Sequence, residues 1–310
     1  MPTRDSTSGQ ESTAPTPAGA ALLTPEFLRR LESLELVSRR VMAGRLQGDR
    51  LSKRKGRGSE FADFRPYSVG DDLRFLDWNL FGRLDKLFLR LFLEEEDLHV
   101  HLLVDASRSM EFGTPSKLRY AKQVAAALGF VGLLNMDRVT IQTVGSARAV
   151  RSPLYRGRPA LWRLIRFLES LDASASGDFN QSLRTVSMQV RGRGVAIVLS
   201  DFLDKGGYAD GLRYLAARNL DVYAIQILAQ EEIEPPYTGD LQLTDLEDQD
   251  AAEVTITAPL LERYRQTLSA FRGELHRFCV QRGISYLFTS NQVPFEQLIL
   301  GYLRNRGLVR

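Results

Sequence analysis

The sequence has few of the side chains that build disulfides and soft-metal sites. It holds one cysteine, Cys279, and three histidines among 310 residues. A single cysteine excludes an internal disulfide and any zinc site made of several cysteines. His99 and His101 flank Val100 and therefore share one face of an expected strand. That pair is consistent with a histidine metal site or, as we favour, with packing against a neighbouring segment.

Long apolar runs are also missing. No run approaches the roughly 18 residues that a membrane span requires. The first twenty residues lack the charged start and apolar core of a signal peptide. We therefore expect a cytoplasmic protein without a membrane span.

The excess of positive charge is small, at a formal net charge of +3. A basic cluster is nevertheless present, made of Arg45, Arg50, Lys53, Arg54, Lys55 and Arg57. Such a cluster can bind nucleic acid or an anionic membrane surface. Because no aromatic residues for base stacking are interleaved with it, we favour a solvated loop over a nucleic-acid site.

The composition, 44% hydrophobic and 25% charged, is typical of a globular chain with one large domain or two small ones. Residues 1–20 are mostly Ser, Thr, Pro, Gly and Ala, which predicts a disordered tail. Residues 21–97 are expected to hold a helix, which begins at Thr24-Pro25 and runs to Gly44, and a clamp segment that packs on the main domain. Residues 98–310 form that main domain, with a hairpin or irregular insertion near 231–257.

The clamp segment contains Gly58–Trp78, where polar and aromatic residues mix without a regular period. Its interspersed arginines and aspartates predict ion pairs, with a tight turn at Val69-Gly70-Asp71. We favour a structural clamp over the sheet edge, and a catalytic role is the alternative.

Beyond residue 86, apolar strand patterns alternate with amphipathic helix patterns. Strands are predicted at 87–93, 98–104, 139–144, 194–200, 220–228 and 284–288, with a short edge strand at 147–154. Helices are predicted after the Ser116 cap and at 159–171, 180–190, 210–218, 260–281 and 294–304. Such alternation predicts an α/β fold, a doubly wound and mainly parallel sheet flanked by helices.

The strand at 98–104 is followed by an oxygen-rich cluster, Asp105-Ala-Ser107-Arg-Ser109. A second buried strand also ends in a carboxylate, at Asp201. Carboxylate and hydroxyl oxygens suit hard cations such as Mg²⁺, and open α/β sheets place ligands at the carboxyl ends of their strands. The alternative is that the serine-rich turn only caps the next helix.

Two motifs resemble known families. The pentad Asp105-Ala-Ser107-Arg-Ser109 resembles the metal-ion-dependent adhesion site of von Willebrand factor A domains. The stretch from Arg65 to Trp78, RPYSVGDDLRFLDW, resembles the signature of the bacterial domain of unknown function 58 family. The resemblance covers the chain from about Phe27 to its end. It implies a von Willebrand factor A-like, Rossmann-type domain with a family-specific N-terminal extension.

The resemblance also implies a metal site. Ser107 and Ser109 would bind Mg²⁺ or Mn²⁺ directly, with Asp105 and Asp201 holding the ion through water. Asp178 stands where A-type domains usually place a threonine ligand. A carboxylate at that position would weaken the pull of the metal on a partner's carboxylate, or favour a harder or larger cation.

The family setting implies an adaptor that works with a MoxR-type AAA+ ATPase in the assembly or activation of other proteins. A partner or client would offer an Asp or Glu to the metal. A metal-dependent hydrolase or phosphatase with Asp105 as nucleophile is an alternative, and a metal-free scaffold is another. Phosphorylated-aspartate enzymes need a second acid two residues on, where this chain has Ser107, and no Walker-type loop occurs. We therefore expect no catalytic residue.

Overall fold

A computed structural model describes residues 22–32, 60–93, 98–190, 192–236, 239–244 and 251–303. The predicted tail at 1–20, the predicted end of the first helix at Gly44 and the basic cluster at 45–57 lie outside the described residues. The division of the chain into domains stays a prediction.

Nine strands are present in the described residues. They are β1 Glu60–Pro66, β2 Phe88–Leu93, β3 His99–Asp105, β4 Arg138–Val144, β5 Gly194–Ser200, β6 Leu220–Leu228, β7 Gly239–Thr244, β8 Ala251–Ile256 and β9 Ser285–Ser290. Five of them form one sheet in the order β4-β3-β5-β6-β9, and every neighbouring pair in it is parallel. The predicted parallel α/β sheet is confirmed.

Helices connect these strands. The described α-helices are α1 Pro25–Leu31, α2 Trp78–Leu84, α3 Lys117–Leu134, α4 Leu161–Glu169, α5 Phe179–Gln189, α6 Ala209–Ala216, α7 Gln230–Ile233, α8 Ala258–Gln281 and α9 Phe295–Gln297. The predicted caps are confirmed, because the Phe27 amide donates to Thr24 Oγ1 at 3.3 Å and the Arg119 amide donates to Ser116 Oγ at 3.2 Å. The closing helix predicted at 294–304 is instead one short α turn followed by a π-helical turn, Leu298–Leu303.

The core lies on both faces of the sheet, because side chains of a strand alternate between faces. On β3, Val100, Leu102 and Val104 pack into a cluster that includes residues of α1, α3, α4 and α9. Leu103 points the other way, into a cluster with residues of α5, α6 and α8. Strands buried on both sides read as continuous apolar runs, which is why the sequence pattern located them well.

The clamp segment has its own small sheet. β1 and β2 pair antiparallel, and the Arg65 guanidinium lies 2.8 Å from the Asp71 carboxylate. This contact confirms a predicted ion pair. The predicted placement of the segment over the edge of the large sheet stays a prediction.

Two predictions about the periphery need adjustment. The edge strand predicted at 147–154 is wrong, since this stretch makes one isolated bridge to β4, Arg151 with Gln142, and Tyr155 just beyond it makes another, with Val139. Pro153 has no amide hydrogen to donate and so interrupts a regular ladder. The hairpin predicted within 231–257 is present as β7 and β8, but its first residues form α7.

Candidate functional site

The candidate site lies at the carboxyl ends of two neighbouring strands. β3 and β5 are parallel with Val104 opposite Leu199, so Asp105 and Asp201 leave the sheet at the same end. Both aspartates are buried, with exposed fractions of 3% and 2%. The prediction that two buried strands each deliver a carboxylate at the same end of the sheet is confirmed.

The Asp105 carboxylate is held on both oxygens. Its Oδ1 accepts the Ser107 amide at 2.9 Å, and its Oδ2 accepts the Ser200 hydroxyl at 2.5 Å. Burial, reinforced by the negative charge of Asp201, raises the pKa of Asp105 to about 7, although the hydrogen bonds from Ser200 and Ser107 oppose the shift. Asp105 therefore acts as an anchor that shapes the following loop.

A glycine makes room for this carboxylate. Gly145, with a φ of 67°, follows β4, and a Cβ at that position would lie 2.5 Å from Asp105 Oδ1. Both the left-handed backbone and the close approach require glycine. Sequence reasoning missed this residue, and its only signal was a glycine directly after a strand.

The two serines and Asp201 form a row of oxygens. Ser107 Oγ lies 3.1 Å from Ser109 Oγ, which donates to Asp201 Oδ2 at 3.1 Å. Ser107 precedes a 3-10 turn, Arg108–Glu111, but makes no side-chain cap there. This geometry therefore gives little support to the alternative that the serine-rich turn only caps the next helix.

The spacing of this oxygen row suits a small divalent cation. Adjacent ligands of octahedral Mg²⁺, with bonds of 2.0–2.1 Å, lie about 3 Å apart. Within the part of the chain that the structure describes, no group of three or more His, Cys, Asp or Glu side chains could hold a metal ion. A divalent ion at this place would therefore depend on the hydroxyls of Ser107 and Ser109.

Asp178 is used differently. Its Oδ1 accepts the Gln181 amide at 2.8 Å and caps α5, and the residue is exposed. The preceding loop does reach the strand ends, because the Ser174 amide donates to Ala106 O and the Gly177 amide donates to Gly145 O, both at 3.0 Å. The role of Asp178 as a ligand stays a prediction.

Two charged residues that sequence reasoning missed complete the site. Lys117 Nζ lies 2.8 Å from Asp201 Oδ2 and 2.6 Å from Glu232 Oε1. The lysine is fully buried, and the positive end of the helix dipole disfavours a cation in the first turn of α3. A lysine in the first turn of a predicted helix was the one signal in the sequence that pointed to this residue. Burial would lower the pKa of Lys117, but the charges and hydrogen bonds of Asp201 and Glu232 raise it.

The histidine pair follows the packing interpretation. His101 Nδ1 lies 3.0 Å from Thr140 Oγ1 on β4, and His99 Nε2 lies 3.2 Å from an Arg138 guanidinium nitrogen. Both neighbours belong to the adjacent strand, and neither an arginine nor a threonine is a ligand that completes a histidine metal site. The histidines therefore serve the pairing of β3 with β4.

A family model described as "Protein of unknown function DUF58" matches residues 63–273. The chain belongs to this family. The stretch from Arg65 to Trp78 lies inside the match, so the predicted membership of the domain of unknown function 58 family is confirmed.

Relatives of this DUF58 chain include an uncharacterized protein of Mycobacterium bovis and another of Mycobacterium tuberculosis. Each is 31% identical over 258 residues, which cover 82% of this chain and 81% of the relative.

Solved structures show a weaker likeness. The protein BatB from Bacteroides thetaiotaomicron is 17% identical, with a TM-score of 0.42 over 67% of this chain and 98% of its own. An aerotolerance-related membrane protein from Bacteroides fragilis is 15% identical, with a TM-score of 0.41 over 67% and 99%. Likeness of this degree carries no argument about function. Among the helices that the structure describes, none is both long and apolar enough to cross a bilayer.

Proposed function

We propose that this DUF58 chain is a metal-dependent protein–protein interaction module. The observation that carries the proposal is the row of Ser107, Ser109 and Asp201 oxygens, spaced at 3.1 Å at the carboxyl end of the sheet. A Mg²⁺ or Mn²⁺ ion bound there would supply a Lewis-acidic position for a carboxylate oxygen of a partner. The pentad resembles the metal-ion-dependent adhesion site of von Willebrand factor A domains, and the proposal assigns the function of that site to this chain.

Each residue of the candidate site has a distinct role in this proposal. Ser107 and Ser109 contribute hydroxyl oxygens that face one another, and Asp201 contributes Oδ2 next to Ser109. Asp105, with both oxygens occupied by hydrogen bonds, holds the loop that carries the serines and reaches the ion through water. Asp178 is the candidate further ligand, at the position where A-type domains usually place a threonine.

The partner in this proposal is a protein that presents an Asp or Glu side chain, with a MoxR-type AAA+ ATPase or its client as the first candidate. This part rests on the family resemblance alone. It is tested by capture, with the purified chain as bait for such an ATPase in Mn²⁺ and in EDTA. Capture that is lost in EDTA and in Ser107→Ala is the expected result, and equal capture in all conditions would contradict it.

Hydrolysis with Asp105 as nucleophile is less well supported. A nucleophilic carboxylate needs a free oxygen and access to the substrate. Asp105 is 3% exposed, and Ser107 and Ser200 engage its two oxygens. Phosphatase or ATPase turnover that disappears in Asp105→Asn would reverse this order of proposals.

The metal itself is tested by thermal unfolding. We expect millimolar Mn²⁺ or Mg²⁺ to raise the midpoint of the wild-type chain, because an ion that binds only the folded state stabilises it. In Ser107→Ala the rise should disappear while the midpoint in EDTA changes little. Equal rises in both proteins would exclude Ser107 as a ligand, and no rise in either would favour the metal-free scaffold.

A matched control is Ser187→Ala. Ser187 is also buried, but its hydroxyl donates to the Arg184 carbonyl within its own helix, α5. This variant should retain the full metal-dependent rise, which separates the loss of a ligand from the loss of a buried hydroxyl.

A further inference from the structure

The candidate site already contains a cation of its own. The Lys117 ammonium lies 2.8 Å from Asp201 Oδ2, the same oxygen that accepts the Ser109 hydroxyl at 3.1 Å. Its side chain is 0% exposed, and the Asp201 side chain is 3% exposed. A divalent ion among the hydroxyls and Asp201 would therefore share one oxygen with a buried ammonium.

Glu232 is the second partner of this ammonium. Its Oε1 lies 2.6 Å from Lys117 Nζ, and its Oε2 accepts the Ala229 amide at 2.8 Å. Glu232 lies on α7, just after β6, so a different element of the fold contributes it. The Tyr264 hydroxyl of α8 in turn donates to the Glu232 carbonyl at 2.5 Å. The counter-charge of Lys117 is thus fixed by α7 and by its contact with α8.

We propose that Lys117 is a resident cation that lowers the affinity of the Ser107–Ser109–Asp201 site for divalent ions, and that Glu232 limits this effect by sharing the ammonium. The inference rests on the proposed metal-dependent function and adds its regulation. Repulsion between an ammonium and a divalent ion a few ångströms apart is strong inside a protein, where screening is weak. Glu232 shares the ammonium and so weakens its interaction with Asp201 Oδ2.

The same arrangement keeps the site folded without a metal. Buried carboxylates without a counter-charge are strongly destabilising. Lys117 neutralises part of the charge of Asp201 and Glu232, and the pair in turn raises the pKa of Lys117, so the ammonium stays charged. Metal binding in this proposal is an exchange of one counter-ion for a stronger one at Asp201, rather than the filling of a bare acidic pocket.

The test is a charge cycle measured by titration calorimetry with Mn²⁺ on the full chain. Lys117→Met removes the ammonium and should tighten Mn²⁺ binding by about tenfold or more. Glu232→Gln leaves the ammonium to Asp201 alone and should weaken binding by a similar factor. The double variant restores the balance of charge and should bind within about threefold of the wild type.

Stability in EDTA provides the second readout. Lys117→Met should unfold at a lower temperature than the wild type, and Mn²⁺ should raise its midpoint by more than it raises the wild-type midpoint. If Lys117→Met does not fold in EDTA, Glu232→Gln and the double variant still carry the test. Glu232→Gln keeps the ion pair of Lys117 with Asp201, and the double variant removes the Glu232 carboxylate together with the ammonium.

The two proposals fail in different ways. Equal Mn²⁺ affinities across the four proteins, or shifts of the same sign in Lys117→Met and Glu232→Gln, would overturn the role of Lys117 and leave the metal site standing. No Mn²⁺ binding by the wild type and by Lys117→Met would overturn the metal-dependent function together with this inference.

Discussion

At the scale of single residues, close approaches between buried polar atoms define the candidate site. The Asp105 carboxylate is enclosed by the Ser107 amide, the Ser200 hydroxyl and the backbone of Gly145. Such a carboxylate cannot move to accommodate a neighbour, because interiors are densely packed and its hydrogen bonds are directional. An atom added next to it should therefore destabilise the fold strongly.

Gly145→Ala is the most direct test of this enclosure. The added Cβ would meet Asp105 Oδ1 and would also sit on a backbone with φ of 67°. We expect the free energy of unfolding to fall by about 1–3 kcal/mol in urea titrations. Gly273→Ala is the control, since this exposed position in the middle of α8 has nothing within 4 Å of the new Cβ. It should stabilise the protein by about 0.5–1 kcal/mol.

His101 gives the fold a dependence on pH. Burial, with smaller contributions from His99 and Arg151, lowers the pKa of His101 from 6.5 to about 4. Between these two values the unfolded chain binds the proton and the folded chain does not. The contribution of His101 to stability is therefore full above about pH 6.5 and falls as the pH drops to about 4, by up to about 3 kcal/mol.

His101→Gln should remove most of this fall, because glutamine can still bond to Thr140 but takes up no proton. The measurement is the free energy of unfolding at several values between pH 4 and pH 7. A wild-type slope that persists unchanged in the variant would show that other groups cause it.

At the scale of elements, caps and strand ends determine where polar side chains point. Thr24, Ser116 and Asp178 each accept an amide of the first turn of a helix. Such caps follow from local geometry and were partly recognised in the sequence. The Asp178 carboxylate accepts a helix amide in the same way, and this hydrogen bond competes with a role as a metal ligand.

Asp77 illustrates an element that depends on one carboxylate. Its Oδ1 accepts the amides of Asn79 and Leu80 in the first turn of α2, and its Oδ2 accepts Arg90 Nε of β2 at 2.8 Å. Asp77→Ala should therefore increase hydrogen exchange throughout α2, because it removes the cap and the link to β2 together.

Asp72→Ala is the matched control for this prediction. Asp72 caps a 3-10 turn and pairs with Arg74 on the surface, so its loss removes short-range, solvent-screened contacts. Exchange in α2 should then stay near the wild-type rate. Equal protection of α2 in the wild type and in Asp77→Ala would contradict the proposed role of this cap.

At the scale of the whole molecule, the N-terminal helix shares the main core. Phe27 of α1 is 3% exposed and meets the Phe295 ring edge-on, with 5.0 Å between the ring centroids. Leu31 lies in the same cluster as Val100 and Leu102 of the central strand. The first described helix is thus packed with residues near the other end of the described chain.

Phe27→Ala should reduce the stability of the whole molecule. We expect a loss of about 3–5 kcal/mol, with a single unfolding transition rather than the separate loss of α1. Trp162→Ala is the control, because this aromatic residue on α4 is 65% exposed and its removal should change stability by no more than about 0.5 kcal/mol. Two transitions in Phe27→Ala would show that α1 unfolds independently.

The sequence alone determined the alternation of strands and helices, the parallel sheet and the placement of Asp105 and Asp201 at the same end of two strands. These features follow from local periods of hydrophobicity and from the rule that parallel strands end on the same side. The strand predicted at 147–154 was wrong because one proline interrupts a pairing that its residues otherwise favour.

Only the tertiary structure decided which charges join the site. Lys117 and Asp201 are 84 positions apart, and Lys117 and Glu232 are 115 apart. No periodic pattern marks a buried ion pair, because its partners lie on different elements of the fold and come together only when those elements pack. The same applies to Gly145, whose requirement for glycine arises from the carboxylate of a neighbouring strand.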